Sequence, residues 1–285
     1  MSSSSSNSKV KGSRPCIYRF NPEKSLPKFG VLVFVGRTDS GKSWMQKEIL
    51  YHIRKKYDVY VVMSGSKETS IDLENHIPCI NIHDKLDLTV LQEIYEKQEE
   101  LRERELRGGR RCPLLVLILD DVAYKRKSIV ASEICSRIFF NCRHARILCL
   151  ISIQDPKLIT PALRLQARKI FVAQEKNKHN RKRIYDAFNP CFDDFEDFDN
   201  VMKMSTRNYE QLVLNNEQSG SDAVSDNVFY FKAQQRGQFK CNPGGKILKK
   251  NKLFLDKKYQ HRKKIDTDAS KRATQPIYRS NKQYR

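Results

Sequence analysis

The residues best able to do chemistry fall in three short stretches. The first is Gly36-Arg37-Thr38-Asp39-Ser40-Gly41-Lys42-Ser43, two glycines five positions apart followed by a lysine and a hydroxyl. Glycine lets backbone N–H groups curl around phosphates without a Cβ in the way, and the helix N-terminus that should follow adds partial positive charge. Lys42 would neutralise the β and γ phosphates, and Ser43 would place its hydroxyl on Mg²⁺. The second stretch is Asp120-Asp121 after an apolar run. Asp120 would hold Mg²⁺, through water or directly, and Asp121 would orient or deprotonate the attacking water. Read alone, the pair is a strand ending in a solvated acidic turn. An upstream phosphate loop makes it a metal and water site. The third is Gln154, whose amide can hydrogen-bond both that water and the γ phosphate. The implied ligands are ATP and Mg²⁺. A cation is also needed against charge on the transferring phosphoryl group, and Arg137, Arg143, Arg146, Arg164 and Arg168 are the candidates.

Such groups meet only if particular elements position them. Val31–Val35 reads as a buried strand ahead of the glycine loop, with a helix from about Lys42 to Lys56 behind it. Further strands are expected at Val59–Met63, Cys79–Ile82, Leu114–Leu119, Ile147–Ser152 and Lys169–Ala173. Between them fall a charged helix at 88–106, ended by Gly108-Gly109, and helices at 128–142 and 161–166. Continuous apolar strands alternating with helices predict a mainly parallel sheet covered on both faces. Strand candidates Glu210–Leu214 and Asn227–Lys232 flank a polar turn and predict a hairpin at the sheet edge. Cys16–Phe29 reads as a lead-in loop with Pro22 and Pro27 as breakers. The fold class expected is an α/β P-loop NTPase, a three-layer sandwich with an edge hairpin and a basic C-terminal tail. Its parts are a flexible arm and lead-in at 1–28, the ATPase domain at 29–232, and the tail at 233–285.

Bulk properties narrow the class. A 285-residue chain suits one α/β domain with tails. The net charge of +21 makes a polyanion a plausible partner. Residues 232–285 hold 17 Lys or Arg against three acids, Asp256, Asp266 and Asp268, which is +14 of that total. Runs such as Lys246–Lys252 and Arg262–Lys264 suit DNA, a nuclear localisation signal or an acidic capsid surface. Eight cysteines without a C-x-x-C pair argue against a disulfide framework or zinc site and for a reducing compartment. No apolar run approaches the roughly 18 to 20 residues that cross a bilayer. Residues 1–14 are poor in apolar side chains and read as a disordered arm.

Gly36–Ser43, Leu119-Asp120-Asp121, Asn141-Cys142-Arg143-His144, Ile153-Gln154 and Pro161-Ala162-Leu163-Arg164 together resemble the genome-packaging ATPases of large DNA viruses, the poxvirus-type branch of the FtsK/HerA superfamily. The resemblance covers about residues 29–232, and 141–164 is its most specific part. It implies an ATP-driven motor that assembles as a homo-oligomeric ring and threads double-stranded DNA into a preformed capsid. Partners would be capsid or portal-like vertex proteins, and the place would be the viral assembly site in the host cell, cytoplasm or nucleus, with association to the virion. The family's motif residues map onto Lys42, Ser43, Asp120, Asp121 and Gln154, and Arg143 then Arg164 sit where family arginines reach across a subunit boundary. Asp121 departs from the wider superfamily, whose cellular members usually carry Glu there. Competing readings are a nucleic-acid-binding or capsid-associated protein that uses nucleotide as a switch, a helicase-like ATPase, and a small-molecule kinase with Arg102–Arg111 as its lid.

Overall fold

The computed structural model describes residues 16–120, 132–188, 191–217 and 220–242. Among them runs one sheet of nine strands in the order β1-β9-β8-β7-β2-β6-β5-β3-β4. The middle of that order holds β2 (Gly30–Val35), β6 (Ile147–Ile153), β5 (Leu115–Asp120) and β3 (Val59–Ser64), all parallel. Two-residue β4 (Ile82–His83) closes that edge, after a 3-10 turn at Cys79–Asn81 where the sequence suggests strand throughout. Pro78 heads that turn.

On the other side β7 (Ala167–Val172) pairs parallel with β2. The expected hairpin, β8 (Glu210–Asn215) and β9 (Val228–Lys232), adds antiparallel to β7. Beyond it lies one further strand, β1 (Tyr18–Arg19). The lead-in segment is thus built into the sheet. Phe20 explains why, being 2% exposed and edge-on to Phe171, Phe229 and Phe231. Pro22 begins α1 (Pro22–Ser25), with Asn21 as its cap, where a first-turn proline gives up no needed hydrogen bond.

Side chains alternate across the parallel strands, and two cores result. On one face Val31, Val33, Leu117, Leu119, Cys149 and Ile151 meet α4 (Leu88–Leu106), α5 (Glu133–Asn141), α7 (Lys178–Phe188) and α8 (Phe195–Ser205). On the other Leu32, Phe34, Val116, Ile118 and Leu150 meet α2 (Lys42–Ile53) and α3 (Lys67–Glu74). Both faces covered is why these strands are apolar throughout. Two short helices complete the set, α6 (Pro161–Arg164) between β6 and β7 and α9 (Val224–Asn227) before β9.

The chain after β9 packs back on the body as far as Asn242. Phe239 stacks on His76 at 4.0 Å, and Asn242 donates from its backbone to Arg54 and from its side chain to Asp58. Arg236 grips Glu48 of α2 through two hydrogen bonds of 2.7 and 2.8 Å. Burial alone would raise the Glu48 pKa. The hydrogen bonds and charges of Arg236 and His52 outweigh it and hold the carboxyl below its usual range. A depressed carboxylate stabilises the fold above its ordinary pKa and loses that contribution as pH falls through the folded value. Glu48→Gln should therefore cost about 1.5–3 kcal/mol at neutral pH, and its melting curve should converge with the parent's as acidification passes through the lowered pKa of Glu48. A melting difference that stays constant from pH 7 to pH 3 would show that the pair is not the source.

Candidate functional site

Register fixes the relative height of the three chemical stretches. Val35 pairs with Ile153 and Leu119 with Ile151, so the glycine loop, Asp120 and Gln154 all leave the sheet at its C-terminal end. One strand, β6, separates the loop strand from the acid strand. Two strand spacings, about 9.6 Å, therefore divide them. That gap suits a phosphate chain and a hydrated cation. A cleft of about 900 Å³ at this end is lined by Lys42, Ser43, Asp120 and Gln154.

The loop itself is shaped by both glycines. A Cβ on Gly36 would stand 2.5 Å from Ser40 Oγ and 2.8 Å from Ala173 Cβ. Gly41 takes φ +88° as it turns into α2. Asp39 has φ 60°, and Ser40 Oγ donates to the Arg37 carbonyl at 2.7 Å. Lys42 Nζ donates to the same carbonyl at 2.6 Å, so the ammonium lies across the loop it is expected to serve. Arg37, Thr38 and Asp39 are exposed at its rim. No side chain caps α2. Its first N–H groups thus face the cleft, as an anion site requires.

Asp120 is 3% exposed, with Ser64 Oγ at 3.5 Å from its Oδ2. Ser43 and Asp120 offer one hydroxyl and one carboxylate to the same cleft, a donor set that fits Mg²⁺ completed by phosphate oxygens and water. Asp121 lies outside the described residues. Arg143 and Arg164 do not join this site. Arg143 precedes the N-terminal end of β6, whose other end carries the cleft, so it stands roughly 20 Å away, whereas Arg164 lies on the crossover from β6 to β7, where burial lowers its pKa and the charge of Asp155, next to Gln154, opposes that. Arg164 donates instead to the Ile159 carbonyl at 3.0 Å.

Several site residues escape motif reading. Gln46 of α2 donates to Ser152 at 2.6 Å, a buried tie between the loop helix and the strand of Gln154. Gln211 of β8 donates to the Gly41 carbonyl at 3.2 Å; it is 1% exposed, and among the described residues its Oε1 has no partner. Asn208 and Tyr209 hold successive positive φ values of 53° and 62° at the mouth of the cleft. Two such residues in a row mark strain held by their surroundings, which for tyrosine is uncommon. Arg183 of α7 is bonded to Asp155, next to Gln154. It lines a second cleft, of about 1020 Å³, on the far side of the loop. Twenty-eight residues separate that pair, and no local pattern announces it.

Comparison with known proteins bears on the family and the fold. The family model described as the poxvirus A32 protein matches residues 18–185. An uncharacterised protein of Acanthamoeba polyphaga mimivirus is 26% identical over 209 residues, spanning 72% of this chain and 73% of that one. Another, from Invertebrate iridescent virus 6, is 28% identical over 204 residues, spanning 72% and 77%. Among solved structures, the DNA-packaging ATPase B204 of Sulfolobus turreted icosahedral virus superposes with a TM-score of 0.51 at 16% identity, covering 76% of this chain and all of that one. ATPase domains 2 and 3 of EssC from Geobacillus thermodenitrificans reach the same TM-score at 12% identity, covering 88% and 53%. At these identities the structural likeness is one of fold, the P-loop NTPase fold.

If Ser43 and Asp120 share one cation, Asp120→Asn should weaken binding of ATP with Mg²⁺ at least about tenfold, or about 1.4 kcal/mol, while binding in EDTA changes little. Titration of a fluorescent ATP analogue with and without Mg²⁺ measures both. Equal weakening in the two buffers would remove the metal from the role of Asp120.

Proposed function

This chain belongs to the poxvirus A32 protein family, and on that premise we propose that it is an ATP-driven translocase that packages viral genomic double-stranded DNA into the capsid. The observation that carries the reading is the convergence of Lys42, Ser43, Asp120 and Gln154 on one cleft at the C-terminal ends of adjacent parallel strands.

Residues 36–43 would hold the triphosphate, and Ser43 and Asp120 would hold Mg²⁺, which would supply charge neutralisation to the phosphates. Lys42 leaves the Arg37 carbonyl for the phosphates. Gln154 orients the attacking water, and Asp121 draws its proton. Arg143 and Arg164 act on the nucleotide of a neighbouring copy in a homo-oligomeric ring, which makes turnover depend on assembly. The ring works at the viral assembly site of the infected cell, docked on a capsid or portal-like vertex. Support for the DNA-packaging part comes from the fold shared with the B204 packaging ATPase and from the basic balance of the chain.

Hydrolysis should rise severalfold when duplex DNA is added at low salt, and Lys42→Ala should lower it at least about a hundredfold. Gln154→Ala should cut turnover comparably while keeping nucleotide affinity within a few-fold. Phosphate release assayed with and without DNA checks all three. Tight nucleotide binding with no turnover under any condition would favour a nucleotide switch over a motor.

A further inference from the structure

Charge is unevenly placed on the folded body as well as in the tail. Residues 15–231 carry 34 Lys or Arg and 30 Asp or Glu. Four loops, 26–29, 54–58, 107–114 and 142–146, hold nine of those basic residues and a single acid, Asp58. The remainder of that span holds 25 basic against 29 acidic residues. The excess positive charge of the body therefore lies wholly in these loops.

They lead into the N-terminal ends of β2, β3, β5 and β6. Those strands are consecutive and parallel in the sheet, in the order β2-β6-β5-β3, so the loops stand side by side at the end away from the nucleotide cleft. At about 4.8 Å per strand the row is about 15 Å wide, the length of some four phosphates along one strand of a duplex.

The carboxylates near this end are already engaged. Asp58 accepts from Arg111 at 2.7 Å and from the Leu114 N–H at 2.8 Å. Glu105 is held by Arg102 at 2.6 Å and Arg146 at 3.0 Å, and Glu217 by Lys169 and Arg168. Lys28, Lys55, Lys56 and Arg110 are exposed, and the ion pairs among the described residues do not involve them. The folding of this end thus consumes its acids and leaves a row of solvated cations. Such a row suits a phosphate backbone, which is read by charge and spacing and not by base sequence.

We infer that the β5–β3 half of the N-terminal end of the parallel sheet, beside the loop of Arg143, is the surface that grips the phosphate backbone of duplex DNA, through Lys55, Lys56 and Arg110. The inference rests on the packaging reading and adds to it the place of contact, distinct from the C-terminal tail. Nucleotide and DNA then occupy opposite ends of the same buried strands. β2 and β5 have six residues and β6 has seven; at about 3.3 Å each they span roughly 20 Å. A change at Asp120 and a change at the DNA would share the rigid rod of β5, which runs from the loop of Arg110 to Asp120.

The test is duplex binding by the full-length protein, followed by fluorescence anisotropy of a labelled 30-base-pair DNA across a salt series. Lys55→Gln/Lys56→Gln/Arg110→Gln removes three exposed cations from the face. Lys249→Gln/Lys250→Gln/Lys263→Gln removes three lysines from the tail sequence. The melting curve of the face variant should match the parent's, since surface changes of this kind cost little stability. The face variant should bind at least tenfold more weakly at moderate salt, and its log–log salt slope should fall by about 0.9 per lost contact, near 3 in all. That result supports the assignment whether or not the tail variant also weakens. A face variant that binds as the parent does, with the parent's slope, overturns it. If the parent itself fails to bind duplex at low salt, the packaging reading falls instead.

Discussion

Everything in this molecule depends on how three adjacent parallel strands end. β2, β6 and β5 are hydrogen-bonded in register, and each delivers its chemistry one or two residues past the last bond: the glycine loop from Val35, Gln154 from Ile153, and Asp120 beyond Leu119. Placing β6 between the other two sets the separation of loop and carboxylate at about two strand spacings. The same ladder explains why the strands are apolar on both faces: helices cover each side, and polar side chains can emerge only at the ends.

Around that arrangement the protein adds polar ties that keep the loop and the sheet in step. Gln46 to Ser152 binds α2 to β6, Gln211 reaches Gly41, and Ser64 stands beside Asp120. Arg236 fastens the segment after β9 to Glu48 on the same helix. Each tie is buried or partly buried; a neutral hydrogen bond such as Gln46 to Ser152 contributes about 0.5–1.5 kcal/mol, one to a charged group such as Glu48 about 1.5–3 kcal/mol, and a buried group left unpaired costs about 1–3 kcal/mol. The phosphate loop is thus backed from the sheet and from the segment that leads into the basic tail.

Much of this was legible from the residues. Period-free apolar runs marked β2, β3, β5, β6 and β7 because both faces of a parallel strand are covered, and the glycine spacing marked the loop because backbone must approach phosphate closely. The helix 88–106 was readable from its Glu and Arg periodicity, and only Leu91, Tyr95 and Gln98 of it are buried. What stayed hidden depends on contacts distant in sequence. Phe20 draws a proline-marked lead-in onto the sheet through three aromatic rings. Arg183 finds Asp155, and Asn208-Tyr209 are held with positive φ by the cleft they border. No local pattern encodes any of these. The remoteness of Arg143 from its own cleft follows from strand direction, since it precedes the N-terminal end of β6.

The central claim is that one metal-bound triphosphate is shared by the loop, the buried acid and the amide. A crystal structure of the protein with Mg²⁺ and a non-hydrolysable ATP analogue tests it most directly. The account requires Lys42 Nζ to have left the Arg37 carbonyl for the β and γ phosphates, with Ser43 and Asp120 on a common cation and Gln154 within hydrogen-bond reach of the γ phosphate. A triphosphate bound elsewhere, with Lys42 still on Arg37 and Asp120 without metal, would contradict it.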